Sequence, residues 1–207
     1  MQTVLMLGSA PMALQARDWE RAPFDAVLAI NNAWAVRSDW DLMIHPWDFA
    51  PDRRPVAGMG QRIVTEDDFV PAQNALGGFV YAGATMAFTA AYWALHALRP
   101  SVIAAFGCDM HYAAKGATHF YGNGQPDPLR PDITLRSLEA KSARLMVLAA
   151  MQGCAMVNLS HGPSRLIFPR AQRANASHTK PAPFCADMAA QALAREAELG
   201  YAVPSGR

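Results

Sequence analysis

Short apolar runs alternate along this chain with longer segments of helical character, and that alternation predicts a parallel sheet covered by helices. Strands are expected near residues 3–7, 26–30, 42–45, 61–65, 102–106 and 155–158. The stretch 84–98 is Ala-rich and apolar nearly all round, as a helix buried against a sheet should be, and Pro100 ends it. A second helix is expected over 135–152, with Asp132 or Thr134 as N-cap, Glu139, Lys141 and Arg144 on its polar face, and Gly153 as C-cap. Between these helices runs a long loop, 107–131, rich in Gly, Pro, His and Tyr. A loop of that length in a compact domain is functional or disordered, and its aromatic residues argue against disorder. Beyond Pro169 the chain turns polar, which reads as a mobile linker, before an Ala-rich helix near 186–199. The expected architecture is one α/β domain over 1–170, a Rossmann-like, mostly parallel sheet with helices on both faces. A C-terminal linker and helix follow over 171–207.

At 207 residues, 52% hydrophobic and 17% charged, the chain can bury one substantial core and is short for two. Its 18 basic residues against 17 acidic leave a net charge of +1, which gives no long-range field to gather nucleic acid or an anionic membrane. Neither is expected as a partner. The cysteines, Cys108, Cys154 and Cys185, are widely spaced with no C-x-x-C, so neither a disulfide framework nor a structural zinc site is indicated. A reducing cytoplasm fits that usage. The first apolar run lacks basic flanks and is too short for a signal peptide, and no later stretch approaches about 18 uninterrupted apolar residues. No integral membrane segment is expected. The basic residues are 15 Arg and only 3 Lys, which codon bias explains, or else a need for guanidinium forks that grip phosphate or carboxylate.

Chemistry-bearing residues collect where strands end. The turn Gly8-Ser9-Ala10-Pro11 follows the first strand, and Pro11 can open a helix whose free N–H groups suit a phosphate, although neither a Walker loop nor G-x-G-x-x-G is present. Asn31 and Asn32 end the second strand, where an amide can read a base edge or a sugar hydroxyl, or simply make a local turn. His45 and Trp47 follow the third strand and offer a hydrogen bond and a stacking face. The richest segment is Cys108-Asp109-Met110-His111-Tyr112 with His119-Phe120-Tyr121, which supplies proton-transfer groups and phenol donors for a leaving phosphate. Asp109, His111 and His119 are also hard or borderline metal ligands, with Asp127 and Asp132 in reserve, but no third carboxylate completes a site. Ser160, Ser164 and Arg165 after the last strand can meet phosphate or carboxylate. No G-x-S-x-G elbow supports a hydrolase.

In order and spacing these segments resemble those of the bacterial sialyltransferases that use CMP-sialic acid, the Campylobacter type, and the related DUF115-like proteins. Gly8-Ser9-Ala10-Pro11-Met12 resembles the family's Gly-Asn-Gly-Pro-Ser turn, and Phe24-Asp25 running into Ile30-Asn31-Asn32 resembles its second strand. His45-Pro46 stands where the family has Asn-Pro, Tyr81-Ala82-Gly83 before Ala84-Thr85 where it has Thr-Ser-Gly, and Phe106 to His111 where it has Ser-Gly-Ile-Asp-Phe-Tyr. The resemblance covers roughly residues 1–160 as short motifs rather than continuous identity. It implies a nucleotide-sugar-binding domain like a GT-A-type glycosyltransferase. Carried over by position, Gly8, Ser9, Ala10 and Asn31 would contact the nucleotide and its phosphate, and Gly83, Ala84 and Thr85 would meet a donor carboxylate. The family's catalytic His base has no His at its place here, so His111 or His119 would take that role, and Tyr112 or Tyr121 would stabilise the departing phosphate.

The implied activity is a metal-independent transfer of a sialic-acid-like nonulosonate from a CMP-activated donor to a glycan or small acceptor, with no cofactor. Two alternatives stand beside it. One is a Mg-dependent diphosphokinase of DUF115-like type with Asp109 or Asp127 on the metal, and the other a nucleotide- or sugar-binding module without catalysis. The module gains if the histidines are buried. The Ala-rich C-terminal helix leaves room for a homo-oligomer.

Overall fold

The computed structural model describes residues 2–83, 85–111, 117–122 and 137–199. The expected residues Ala84, Tyr112, Asp127, Asp132 and Thr134 lie outside them. Among the described residues, six parallel strands form one sheet in the order β4-β3-β2-β1-β5-β6. They are β1 (Thr3–Leu7), β2 (Ala26–Ile30), β3 (Leu42–Ile44), β4 (Arg62–Val64), β5 (Val102–Phe106) and β6 (Ala155–Asn158). Strands β1, β2, β5 and β6 keep their expected bounds, and β3 and β4 are trimmed because His45 and Thr65 already turn away. Every residue of β1, β2, β5 and β6 is buried, as both-face coverage demands of a parallel sheet.

The chain winds outward from β1 in both directions, through β2, β3 and β4 on one side and through β5 and β6 on the other. This is the doubly wound, Rossmann-like arrangement, with its topological switch point between β1 and β5. The two faces are covered differently. Helices α1 (Glu66–Ala75), α3 (Met86–Ala97) and α4 (Leu138–Met151) line one face, with the short α2 (Gly78–Ala82) between α1 and α3. Their core contains Val4, Leu28, Ile103, Phe88, Trp93 and Leu145. The other face is closed by 3-10 helices at Pro11–Asp18, Asn31–Ala35 and Arg173–His178, over a core of Leu5, Val27, Phe106, Ala13, Ala33 and Ala176.

The α3 helix starts at Met86, two residues into the expected stretch, because the Thr85 hydroxyl caps it by accepting the Phe88 N–H at 3.3 Å. Helix α4 starts at Leu138, with Ser137 Oγ accepting the Ala140 N–H at 3.2 Å. Helix α1 begins on a capping box, Thr65 with Asp68, that sits directly after β4.

The segment after Pro169, expected as a linker, is fastened to both faces. Asn158 donates its N–H to the Pro169 carbonyl at 2.9 Å, and Arg173 reaches the carbonyls of Glu20 and Ala22 at 3.3 and 3.1 Å. Ala176 enters the core on the 3-10 face, whereas α5 (Ala186–Glu198) packs Leu193 against the α-helical face and pairs Glu196 with Arg144.

Candidate functional site

Every strand of the sheet ends in a polar segment at the same edge, and the switch point between β1 and β5 is its centre. There the turns after the two strands touch backbone to backbone. The Gly8 N–H donates to the Phe106 carbonyl at 2.8 Å and the Ala10 N–H to the Gly107 carbonyl at 3.0 Å. A Cβ on Gly8 would stand 2.7 Å from Cys108 Sγ and from the Gly107 carbonyl carbon. Only glycine allows this approach, and Gly107 reciprocates with a positive φ of 70°.

That closeness leaves fewer free N–H groups in the expected phosphate turn. Two of its N–H groups are spent on β5, and Pro11 has none, so Ser9 and Met12 are the amides without a partner among the described residues. The helix that Pro11 opens is a 3-10 helix with no side-chain cap.

Next to this turn, the β1–β2 register pairs Leu7 with Ala29 and so brings Asn31 alongside Ser9. Asn31 holds a left-handed backbone, φ 50°, and its Oδ1 is buried without a hydrogen-bond partner. Among the described residues it therefore combines a left-handed backbone with a buried acceptor that has no donor. Asn32 follows, half-buried, in the same 3-10 turn.

On the other side of β1, Asp109 is 5% exposed, with one carboxylate oxygen at a long 3.5 Å from Asn158 Nδ2 and the other buried without a partner. The loop around it is held from β6. The Arg165 N–H donates to the Asp109 carbonyl at 2.8 Å, Asn158 Nδ2 donates to Ser164 Oγ at 3.1 Å, and the Gly107 N–H donates to Ser160 Oγ at 3.2 Å. Ser160 and Ser164 are therefore used to brace the loop. Arg165, expected to meet an anion, closes instead in a two-pronged fork on Glu139, which raises its own pKa and holds the Glu139 carboxyl below the usual range. Burial, reinforced by the neighbouring Asp109 charge, pushes the Cys108 thiol far up, so it is no nucleophile.

The segment 119–122 folds over this centre as a small hairpin, with His119 and Gly122 exchanging backbone hydrogen bonds at 3.0 and 3.1 Å. It is clamped to the β1 turn, because the Phe120 N–H donates to the Ser9 carbonyl. His119 is 9% exposed, its Nδ1 lies 2.9 Å from Thr118 Oγ1, and its ring stacks on Tyr121 with centroids 4.9 Å apart. Burial lowers its pKa from 6.5, so the ring is neutral at pH 7. Tyr121 is exposed, as is His111, which has no comparable tie to the β1 turn.

Other expected residues serve the fold. The Thr85 hydroxyl caps α3 and donates to Met110 Sδ at 3.6 Å, so both of its roles are used within the fold. Gly83 is pressed against the end of α2, where a Cβ would stand 2.7 Å from the Phe79 carbonyl oxygen. His45 is 3% exposed, lies tilted against Phe49 with ring centroids 5.4 Å apart and places Nδ1 2.8 Å from the Pro46 carbonyl, which can only accept, so Nδ1 carries the proton. Trp47 is 77% exposed beyond it. Glu66, which no residue pattern singles out, has its Oε1 buried without a partner among the described residues at the start of α1. The Thr65-to-Asp68 capping box marks Glu66 only as the first helical residue rather than part of a loop.

Among the described residues no group of three or more His, Cys, Asp and Glu side chains could hold a metal ion, and no helix is long and apolar enough to cross a membrane. No family model, curated protein or solved structure matches the chain.

Proposed function

We propose that this chain is a cytoplasmic, nucleotide-sugar-dependent glycosyltransferase of GT-A-like architecture, with a CMP-linked nonulosonate as donor and a glycan or small hydroxyl compound as acceptor. The observation that carries this is the clamp of the 119–122 hairpin on the β1 turn, which brings the buried His119 imidazole and the exposed Tyr121 phenol to the switch point of a Rossmann-like sheet. Asn31 and the Ser9 amide face the nucleotide end. His119, with Nδ1 2.9 Å from Thr118 Oγ1, acts as the general base toward the acceptor hydroxyl. The acceptor oxygen attacks the anomeric carbon, the bond from that carbon to the CMP phosphate oxygen breaks, and the acceptor proton passes to the His119 ring. The Tyr121 phenol donates a hydrogen bond to the departing phosphate.

A panel of CMP, UDP, GDP, ATP and CMP-sialic acid in thermal-shift assays tests the reading, since a specific ligand raises the melting temperature by mass action. CMP and CMP-sialic acid should stabilise most, and CMP release should persist in EDTA. Stabilisation by ATP alone, with EDTA-sensitive turnover, would reject it in favour of the diphosphokinase. A second reading, the binding module, is favoured by the burial of both His119 and His45. It would prevail if CMP-sialic acid binds and no acceptor is ever modified.

A further inference from the structure

Backbone hydrogen bonds place the 119–122 hairpin without reaching its imidazole. His119 and Gly122 exchange two of them, and the Phe120 N–H gives another to the Ser9 carbonyl at 3.0 Å. These contacts locate the His119 backbone, but the ring still has its last side-chain torsion, which is broad and roughly two-fold. A half-turn about it exchanges Nδ1 with Cδ2 and Nε2 with Cε1. The ring plane is unchanged, yet a nitrogen and a carbon have traded places, which matters to any proton the ring is to take.

Two neighbouring side chains restrict that ring, and they do different things. Tyr121 covers its face, with centroids 4.9 Å apart and planes 24° from parallel. A stacked neighbour fixes the plane and is nearly indifferent to a half-turn within it. Thr118 is the contact that discriminates. Its Oγ1 lies 2.9 Å from Nδ1, and after a half-turn it would face the Cδ2 edge, where no hydrogen bond of that kind can form. Successive side chains of an extended segment point to opposite sides, whereas the chain bends at Thr118, and the bend lets the hydroxyl meet the ring of the next residue. The bond is made where His119 is 9% exposed, so water competes poorly for it.

A hydroxyl can donate or accept, and the chemistry chooses between them. The imidazolium formed by proton transfer donates from both nitrogens, so a hydroxyl that already accepts at Nδ1 keeps its bond throughout the step, and one that donates there must turn over during it. We propose that Thr118 is a positioning residue: its hydroxyl accepts from Nδ1–H, holds the His119 ring in one of its two settings and directs proton transfer to Nε2. The catalytic consequence rests on the transferase reading. The tautomer and the ring setting do not.

Long-range proton–nitrogen correlation NMR on the full chain at neutral pH, with His119→Ala to assign the His119 signals, tests the inference beside CMP release from CMP-sialic acid. Wild-type protein should carry the His119 proton on Nδ1, and Thr118→Ser should preserve that tautomer and most of kcat. Thr118→Val keeps the volume without the hydroxyl. It should move the tautomer ratio toward Nε2–H by about two- to ten-fold, the worth of one hydrogen bond, and lower kcat about ten-fold, with donor KM and the CMP thermal shift unchanged. An unaltered tautomer and kcat in Thr118→Val would overturn the role of Thr118, as would equal losses in Thr118→Ser and Thr118→Val. If Thr118→Val does not fold, the wild-type spectrum decides, because a His119 protonated at Nε2 overturns the assignment without any variant. Absence of CMP release by wild-type protein would reject the transferase reading, and the tautomer spectra would then decide the role of Thr118 by themselves.

Discussion

Arg144 and Glu196 join α4 to α5 through a two-pronged ion pair, Nε to Oε1 at 2.7 Å and Nη2 to Oε2 at 2.8 Å. The same guanidinium donates to the Tyr92 hydroxyl at 2.7 Å and the Leu76 carbonyl at 2.8 Å, so one side chain ties α5 to α3 and to the end of α1. Gly77 makes room for it, since a Cβ there would stand 3.2 Å from the Arg144 guanidinium carbon. Arg144→Ala strands Glu196 and exposes nothing to replace it. It should cost about 3–5 kcal/mol in chemical denaturation, and Arg144→Met with Glu196→Leu should recover most of that.

His119 gives a pH signature. Its pKa is below 6.5 because burial disfavours the imidazolium, so the ring is a competent base throughout the neutral range. The value of kcat/KM should rise with pH through a midpoint below 6.5 to a plateau above it. Since the folded state holds this proton more weakly than the unfolded chain, the neutral ring's contribution to stability is complete above pH 6.5 and is lost as pH falls through the lowered value. His119→Ala should abolish turnover while CMP still raises the melting temperature; wild-type turnover in that variant would remove His119 from the mechanism.

Asn31 separates backbone from ligand. Asn31→Gly accepts a φ of 50° without strain and should keep the wild-type melting temperature to within a few degrees, yet it should lose most of the CMP shift. Asn31→Ala should lose the shift and about 1–2 kcal/mol of stability as well, measured by denaturant titration.

Gly8→Ala places a methyl against the β5 turn, where the neighbours are backbone and the buried Cys108 sulfur. It should destabilise by about 1–3 kcal/mol, a fall in Tm of roughly 3–10 °C for a chain of this length. Spreading the two turns should also weaken CMP binding.

The thiols should divide cleanly. Cys108 and Cys154 are buried, and burial pushes the Cys154 thiol up to about 12, whereas Cys185 is exposed. Ellman's reagent should titrate one thiol in native protein and all three after unfolding.

Much of the sheet was legible because its strands are unbroken apolar runs bounded by turn residues; β1, β2, β5 and β6 keep their sequence-read limits. Helix α1 was harder to see. Pro71 lies inside it, and Thr65 reads equally well as the last residue of a strand or as a cap. Crossovers on the 3-10 face carry no periodicity for a sequence to display. In the site, residue types located the carboxyl edge, but only coordinates reveal which hydrogen bonds are already spent. Thr85 looks available in sequence and is consumed by Phe88 and Met110; Glu66 looks like an ordinary helix-start carboxylate and hides an unpaired oxygen. The Arg excess resolves similarly. Arg37, Arg54, Arg144, Arg170 and Arg173 all grip backbone carbonyls, several of them at two points, so the planar forks act as internal ties across loops.

The strap formed after Pro169 bears on how the molecule assembles. It supplies Ala176 to one core and Leu193 with Glu196 to the other, yet it leaves the ribosome only after all six strands. A nascent chain that ends at β6 has its sheet complete and both cores open at one margin, the condition in which partly made sheets associate with each other. Sealing both faces with a single late segment delays burial of that margin until the strap has been made, and makes proteolytic resistance of the whole molecule a property that arrives in one step.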